Sequence, residues 1–381
     1  MAWEKVKLDR FFIVKKGQAI TKKESNPGIY PVILGGREPA YYIDKYNHTG
    51  KAIVVSRSGA SAGYVSFWNE PIFITDGFLI EPKDDVVYIF VYYLLKYKQS
   101  QLIGNQRGAA IPHVTPNLLY SVEAFCPPLT TQQKIADILS AYDNLIENNQ
   151  KQIKLLEEAA GRLYKQWFID LRYPGHETIP IVDGLPKGWR RNRADSFFNI
   201  TIGKTPPRAE KQWFTEDGSG MPWISISDMG ADSAFLFETS EGLTLEAIKR
   251  HNVKVVPANT VLLSFKLTVG RVSITSTEMC TNEAIAHFVT NEDSLREYTY
   301  CYLKNFHYDE LGSTSSISKA INSKIVKAMP FIIPDCVLLK KFHLFVKPIF
   351  DEVFTKQKQI INLIQSRDRL LPKLMNGELF I

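Results

Sequence analysis

The sequence predicts an α+β protein made of two tandem copies of one unit. Each copy closes with a long helix, and the two helices are expected to pair as an antiparallel coiled coil about a pseudo-twofold axis. Three observations carry this prediction. Trp3, Phe11, Phe12 and Gly17 recur 186 positions later as Trp189, Phe197, Phe198 and Gly203. The stretch from Ile53 to Ser66, with Ser56 and Gly63, faces the stretch from Val261 to Ser273, with Ser264 and Gly270, at an offset near 207. Gln150, Lys151, Gln152 and Ile153 return verbatim, 207 positions on, as Gln357, Lys358, Gln359 and Ile360. The second copy has gained about 21 residues between Gly203 and Ser264.

The organisation read from these offsets is a globular domain over residues 1–128, a helix within 129–172, a second domain over 173–330 and a closing helical segment over 331–381. In the first domain, residues 51–67 and 72–80 are rich in Val, Ile and aromatics and broken by glycines, which predicts strands. Residues 85–99 predict a short helix. The second domain repeats the pattern, with strands near 253–256, 261–265, 271–274 and 285–289 and a helix near 295–305.

The long helices give the clearest periodicity. Ile135, Leu139, Tyr142, Ile146, Asn149, Ile153, Leu156, Ala160, Leu163 and Trp167 follow alternating steps of four and three. Adding 207 gives Phe342, Val346, Ile349, Val353, Lys356, Ile360, Leu363, Arg367, Leu370 and Leu374. This is the seam of a coiled coil, and Asn149 and Lys356 occupy one matched polar position that fixes register and orientation. The alternative is two amphipathic helices packed on separate domains. Thr130 with Gln133 predicts a capping box, Asn376 and Gly377 a helix stop, and Pro348 and Pro372 a local kink or break. From Ile135 to Trp167 such a helix rises about 48 Å, against roughly 34 Å for one turn of DNA, so an antiparallel pair would act as a ruler between two readers.

Composition bounds the function. Among 381 residues, 45% are hydrophobic and 23% charged, an ordinary globular balance that excludes a disordered or fibrous chain. Lys5, Lys7, Asp9 and Arg10 interrupt what would be the apolar core of a secretory leader, so none is expected. The longest apolar run, residues 86–95, is half of what a membrane span needs. Cys126, Cys280, Cys301 and Cys336 form no C-x-x-C pair, which reads as reduced thiols in a cytoplasmic protein. The net charge of +6 suggests an anionic partner. Residues 173–330 nonetheless carry 17 basic and 18 acidic residues, so any nucleic-acid contact there must be a local patch.

Catalytic motifs fail on inspection. Gly203, Lys204 and Thr205 imitate the end of a phosphate loop, but Phe198 stands where that loop needs glycine. Cys126, Pro127, Pro128 and Leu129 imitate an amino-methyltransferase motif with both key ends wrong. Asp76 with Glu81 and Lys83 imitates a nuclease triad, yet the second copy has His287 to Val289 at that place. The histidines show no metal-ligand spacing. No catalytic residue and no metal site is assigned.

Taken together, two non-identical domains, each followed by a helix carrying the repeated Gln-Lys-Gln-Ile, resemble the specificity subunit of type I restriction–modification enzymes. The run from Pro127 to Leu139 is similar to that family's entry into its central helix. Gly203 to Pro207 with Met221 to Asp228 is similar to the start of a target recognition domain, and Arg369 to Glu378 to its usual ending. One departure is Gly17-Gln-Ala-Ile20 in the first domain where the second has Gly203-Lys-Thr-Pro206. The resemblance implies a non-catalytic chain in which each target recognition domain reads one half of a bipartite, asymmetric double-stranded DNA target. The helices would set the spacer. Two methyltransferase subunits would dock on the assembly and restriction subunits join for cleavage, with S-adenosylmethionine, ATP and magnesium in those partners. A methyltransferase or nuclease with an unrecognised site is the alternative, and a coiled-coil adaptor that never touches DNA a further one.

Base reading needs donors and acceptors on loops that enter a groove. The candidates in the first domain are Arg37, Arg57, Ser58, Ser61 and Arg107. Those in the second are Lys204, Arg208, Lys211, Lys266, Arg271 and Lys319.

Overall fold

The computed structural model describes residues 3–21, 23–104, 113–230, 233–311, 321–379 and 381. Two of the DNA-contact candidates, Arg107 and Lys319, lie outside them. The chain divides into two compact units, residues 1–146 with 362–381 and residues 147–361. Each long helix is thus shared out between the units, and the helices do not form a body of their own.

In unit 1 a four-stranded sheet runs in the order Phe12–Lys16, Gly77–Pro82, Lys51–Ser56, Val65–Asn69, antiparallel throughout. A three-stranded sheet of Tyr42–Ile43, Pro27–Ile33 and Phe73–Ile74 lies beside it in the chain order, its last pair parallel. Glu4–Lys7 pairs with Glu123–Cys126. The helix α1, Tyr88–Gly104, covers the larger sheet with Phe90, Val91, Leu94 and Leu95, all buried. A short helix, α2 (Pro116–Ser121), starts on Thr115, whose hydroxyl accepts the Leu118 amide. Then α3, Leu129–Tyr164, begins.

Unit 2 rebuilds the same plan. Its main sheet runs Asn199–Ile202, Ile285–Val289, Val261–Ser264, Val272–Thr275, with Phe235–Leu236 added as a fifth strand. The smaller sheet again contains a parallel pair, Met221–Ile224 with Cys280–Thr281. Arg190–Arg193 pairs with Pro330–Ile333 as Glu4–Lys7 does with Glu123–Cys126. The extra residues of the second copy build the added strand and the helix α4, Leu245–His251. Helices α5 (Arg296–Lys304), α6 (Ser323–Ala328) and α7 (Cys336–Met375) complete the chain.

The helix pairing is antiparallel. In unit 2, Asn149 Nδ2 donates to Gln359 Oε1 at 3.3 Å, while Trp167 packs on Phe342 at 5.9 Å between centroids. As the residue number rises on α3, its partner's number falls on α7. In unit 1, Arg367 reaches Asp143 across the pair, and Ile135 and Leu139 share a core with Leu374 and Met375. The two cores are matched: Tyr164, Trp167 and Phe168 surround Phe342 in unit 2, and the residues 207 further on, Leu371, Leu374 and Met375, join Ile135 in unit 1. Ile135, Leu139, Ile146, Asn149, Ile153, Phe342, Val346 and Val353 are buried. Tyr142, Leu156, Leu163, Ile349, Lys356, Ile360, Leu363 and Leu370 are half-buried.

Four local expectations need correction. Residues 253–256 form no strand: Asn252 takes a left-handed cap after α4, Pro257 removes a donor, and only Val256 bridges, to Met279. Thr130 and Gln133 form no capping box, because Gln133 donates forward to Asp137. The neighbouring Gln132 anchors that end instead, donating to Pro127 O and accepting the Val87 amide. Pro348 does not break α7, since it lies on the exposed face where water can satisfy the freed carbonyl. The helix also runs through Pro372. The stop at Asn376 and Gly377 forms, with Gly377 at φ +70 and Glu378 N bonded to Lys373 O.

Candidate nucleic-acid interface

Four loops meet in each unit, and the repeat sets the same four in both. In unit 1 the first is the turn at Gly17. A side chain there would strike the backbone of Ile74 and Thr75, so only glycine lets the turns meet. The second is the loop at Gly35, which lies against Ser58 O. The third is the segment after Lys51–Ser56, where Gly63 N returns to Ser56 O and closes a tight loop over Arg57 to Ala62. The fourth is the turn at Asp76. Its backbone oxygen accepts the Arg57 amide and its carboxylate accepts the Ser58 hydroxyl.

Arg57 Nε sits 3.4 Å from Asp76 Oδ1, within ion-pairing range but without hydrogen-bond geometry. Asp76 therefore orients two of the sequence candidates, Arg57 and Ser58, while leaving the guanidinium partly exposed. Arg37 is exposed and lies over the Tyr64 ring at 5.5 Å. Ser61 is half-buried, its carbonyl accepting the Tyr64 amide, so it braces the loop. In sequence Asp76 shows only as part of an imitation nuclease triad with Glu81 and Lys83. The structure commits Glu81 to Lys15 at 2.7 Å and Asp76 to the loop.

Unit 2 assembles the equivalent loops with other side chains. Gly203 abuts Thr281 and Asn282 too closely for any Cβ. Lys204, exposed beside it, donates its amide to Thr281 O and accepts the Trp223 indole on its carbonyl at 3.3 Å. Thr205 bonds Glu283, whose carboxyl is resisted by burial yet held below its usual range by that bond and by nearby Lys266 and Arg208. Arg208 is held by the Glu241 carboxylate at 2.7 and 2.8 Å and sits over the rings of Phe214 and Trp223 at 4.4 and 4.5 Å. Lys211 is exposed on the turn Lys211–Trp213. Lys266 is exposed on the loop between Val261–Ser264 and Val272–Thr275.

Arg271 differs from these. It is half-buried, and Nη1 donates to Ile226 O at 2.7 Å, which ties this loop to the turn at Ser225. That turn is set by Asp228. Burial opposes its ionisation, but hydrogen bonds from Ser225 and Ser240 outweigh this and lower its pKa. Glu241 and Asp76 each hold an arginine, while Glu283 and Asp228 hold the hydroxyls and amides of the neighbouring turns. Composition counts such acids only as charge that cancels, which is why sequence reasoning missed them.

Each copy of the duplicated scaffold thus brings basic and hydroxyl side chains together on four loops, with different side chains in the two copies. The particular family follows from comparison with known proteins. The family model for the type I restriction modification DNA specificity domain matches twice, over residues 2–158 and 186–368. The chain is 31% identical over 349 residues to the type I restriction enzyme MjaIX specificity subunit of Methanocaldococcus jannaschii, covering 86% of this chain and 78% of that one. It is 24% identical to the HindI specificity subunit of Haemophilus influenzae, covering 79% and 80%. The crystal structure of a type I restriction–modification S subunit from M. genitalium shares the fold, with a TM-score of 0.64 at 20% identity over 98% of this chain and 96% of that one. The chain belongs to the family of type I restriction–modification specificity subunits.

Proposed function

We propose that this chain is the DNA-reading subunit of a type I restriction–modification complex and has no catalytic activity of its own. The observation that carries this reading is the duplication of the four-loop constellation with different side chains in each copy. Copy one offers Arg37, Arg57 and Ser58, and copy two Lys204, Lys211 and Lys266, with Arg208 held for shape. A bipartite target with unlike halves follows, since each half meets different donors. Lysines and arginines on phosphates fix position, while bidentate and hydroxyl contacts on base edges select sequence. Arg57 held by Asp76 is pre-ordered, which lowers the entropic cost of a base contact.

The antiparallel helices are proposed to set the unread spacer and to dock two methyltransferase subunits, with restriction subunits joining for cleavage in the cytoplasm. S-adenosylmethionine, ATP and magnesium are assigned to those partners. The test is reconstitution. The purified chain alone, given S-adenosylmethionine and DNA, should transfer no methyl group, and with its methyltransferase subunit it should direct methylation to a bipartite sequence. Turnover by the chain alone would overturn the reading.

A further inference from the structure

The loop between Val261–Ser264 and Val272–Thr275 carries Leu267, which is 97% exposed and has φ +59. The backbone is the costly feature, since leucine carries its Cβ in a region that favours glycine. The repeat shows that the loop does not need it. In unit 1 the left-handed position of the matching loop is filled by Gly59, at φ +81, with Ala60 after it. Nor does Leu267 hold the loop together. Ser264, fully buried, donates its hydroxyl to Thr268 O at 2.6 Å and accepts the Arg271 amide at 3.0 Å. Gly270 N returns to Ser264 O at 3.0 Å and Gly270 lies against the Tyr308 ring. The result is a braced loop that presents Leu267 almost wholly to solvent, with Val269 less exposed behind it.

Its neighbours indicate what meets it. Lys266 is exposed immediately before it, and Arg271 anchors the loop base through Ile226 O. An apolar tip beside a cation matches the edge of a thymine in the major groove, where the C5-methyl is the one apolar group among hydrogen-bonding atoms and phosphates lie alongside.

Resting on the function proposed above, we propose that Leu267 is a specificity-determining residue that selects a thymine through its C5-methyl group in the half-site read by unit 2. The experiment is methylome sequencing of cells carrying the complete complex with wild-type chain, Leu267→Gly or Leu267→Ala. The expected result is an unchanged half-site for unit 1 and relaxation at one T·A position of the other half, with methylation of sites carrying another pair there rising about tenfold, the scale of losing one apolar contact. On a duplex of the wild-type motif, deoxyuridine in place of that thymidine should weaken binding of the wild-type complex several-fold and leave the Leu267→Gly complex unaffected. The thermal midpoint of Leu267→Gly should equal or exceed wild type, which separates lost reading from lost folding. An unchanged motif in both variants, or relaxation at a G·C position, overturns the proposal. A wild-type chain that yields no bipartite motif sinks the parent function and this inference with it.

Discussion

Gln357 and Gln150 occupy the same place in two copies of an identical four-residue motif, and the structure assigns them opposite roles. Gln357 is buried; its Oε1 accepts the Phe235 amide and its Nε2 donates to the Phe235 carbonyl, both at 3.2 Å. From the other helix, Glu157 accepts the Ala234 amide at 2.8 Å. Together they fasten the fifth strand to the helices, and Phe235 seats against Phe354 at 5.2 Å and Phe350 at 6.3 Å. Gln150 is exposed. Gln357→Leu keeps the volume but leaves the Phe235 amide without a partner, at a cost of about 1–3 kcal/mol, while the Phe235 carbonyl keeps the Ser233 hydroxyl at 3.3 Å. The expected loss is therefore about 1–3 kcal/mol, measured by urea unfolding of the full chain, with faster hydrogen exchange at the Phe235 amide. Gln150→Leu should stay within about 0.5 kcal/mol of wild type. Equal effects from the two substitutions, or a Gln357→Leu midpoint indistinguishable from wild type, would refute the reasoning.

Three other predictions concern the seam, pH and DNA. Lys356 is 14% exposed at its side chain and pairs with Glu352 at 3.0 Å, an i,i+4 contact worth a few tenths of a kcal/mol at most. Lys356→Ile should leave urea stability unchanged or raise it by about 1 kcal/mol, and a loss above 1 kcal/mol would argue against a seam position. His287 is fully buried between Thr201 and Thr281, and burial pushes its pKa down to about 4. Between about pH 6.5 and 4 the unfolded chain binds a proton that the folded chain refuses. Stability therefore falls as pH drops through this window, by up to about 1.4 kcal/mol per unit. His287→Gln should flatten that slope in urea titrations at pH 7.5 and 4.5, and an NMR titration of His287 near pH 6.5 would contradict it. Arg37→Ala and Lys266→Ala should leave the thermal midpoint within error yet lower DNA affinity about tenfold or less, and Lys266→Ala should reduce the salt slope by about one if it meets a phosphate. Unchanged affinity and site choice in both would remove them from the interface.

The duplication was legible because aromatic and glycine landmarks recur at fixed offsets, and the seam because its period survives in both helices. What the sequence hid is where identical motifs diverge in environment. Nothing in Gln-Lys-Gln-Ile distinguishes Gln357, which is buried and bonds the added strand, from Gln150, which is exposed. The helix-start partner is Gln132 and not Gln133, since the two are chemically alike in sequence and only the tertiary position of Val87 selects Gln132. At the candidate interface the cations were visible by charge, while Asp76, Glu241 and Glu283 became meaningful only once folding brought them within reach of Ser58, Arg208 and Thr205. Arg271 looked like its neighbours in sequence, yet it is spent on Ile226 O.

DNA sequence choice is proposed to come from this chain alone. Single-molecule methylome sequencing of cells with and without the gene, the partner subunits being present in both, tests it most directly. The expected result is a bipartite motif with two different halves and a fixed spacer, methylated only when the chain is present. A methylome that is identical in the two cells, or a chain-dependent motif that is contiguous and palindromic, would contradict it.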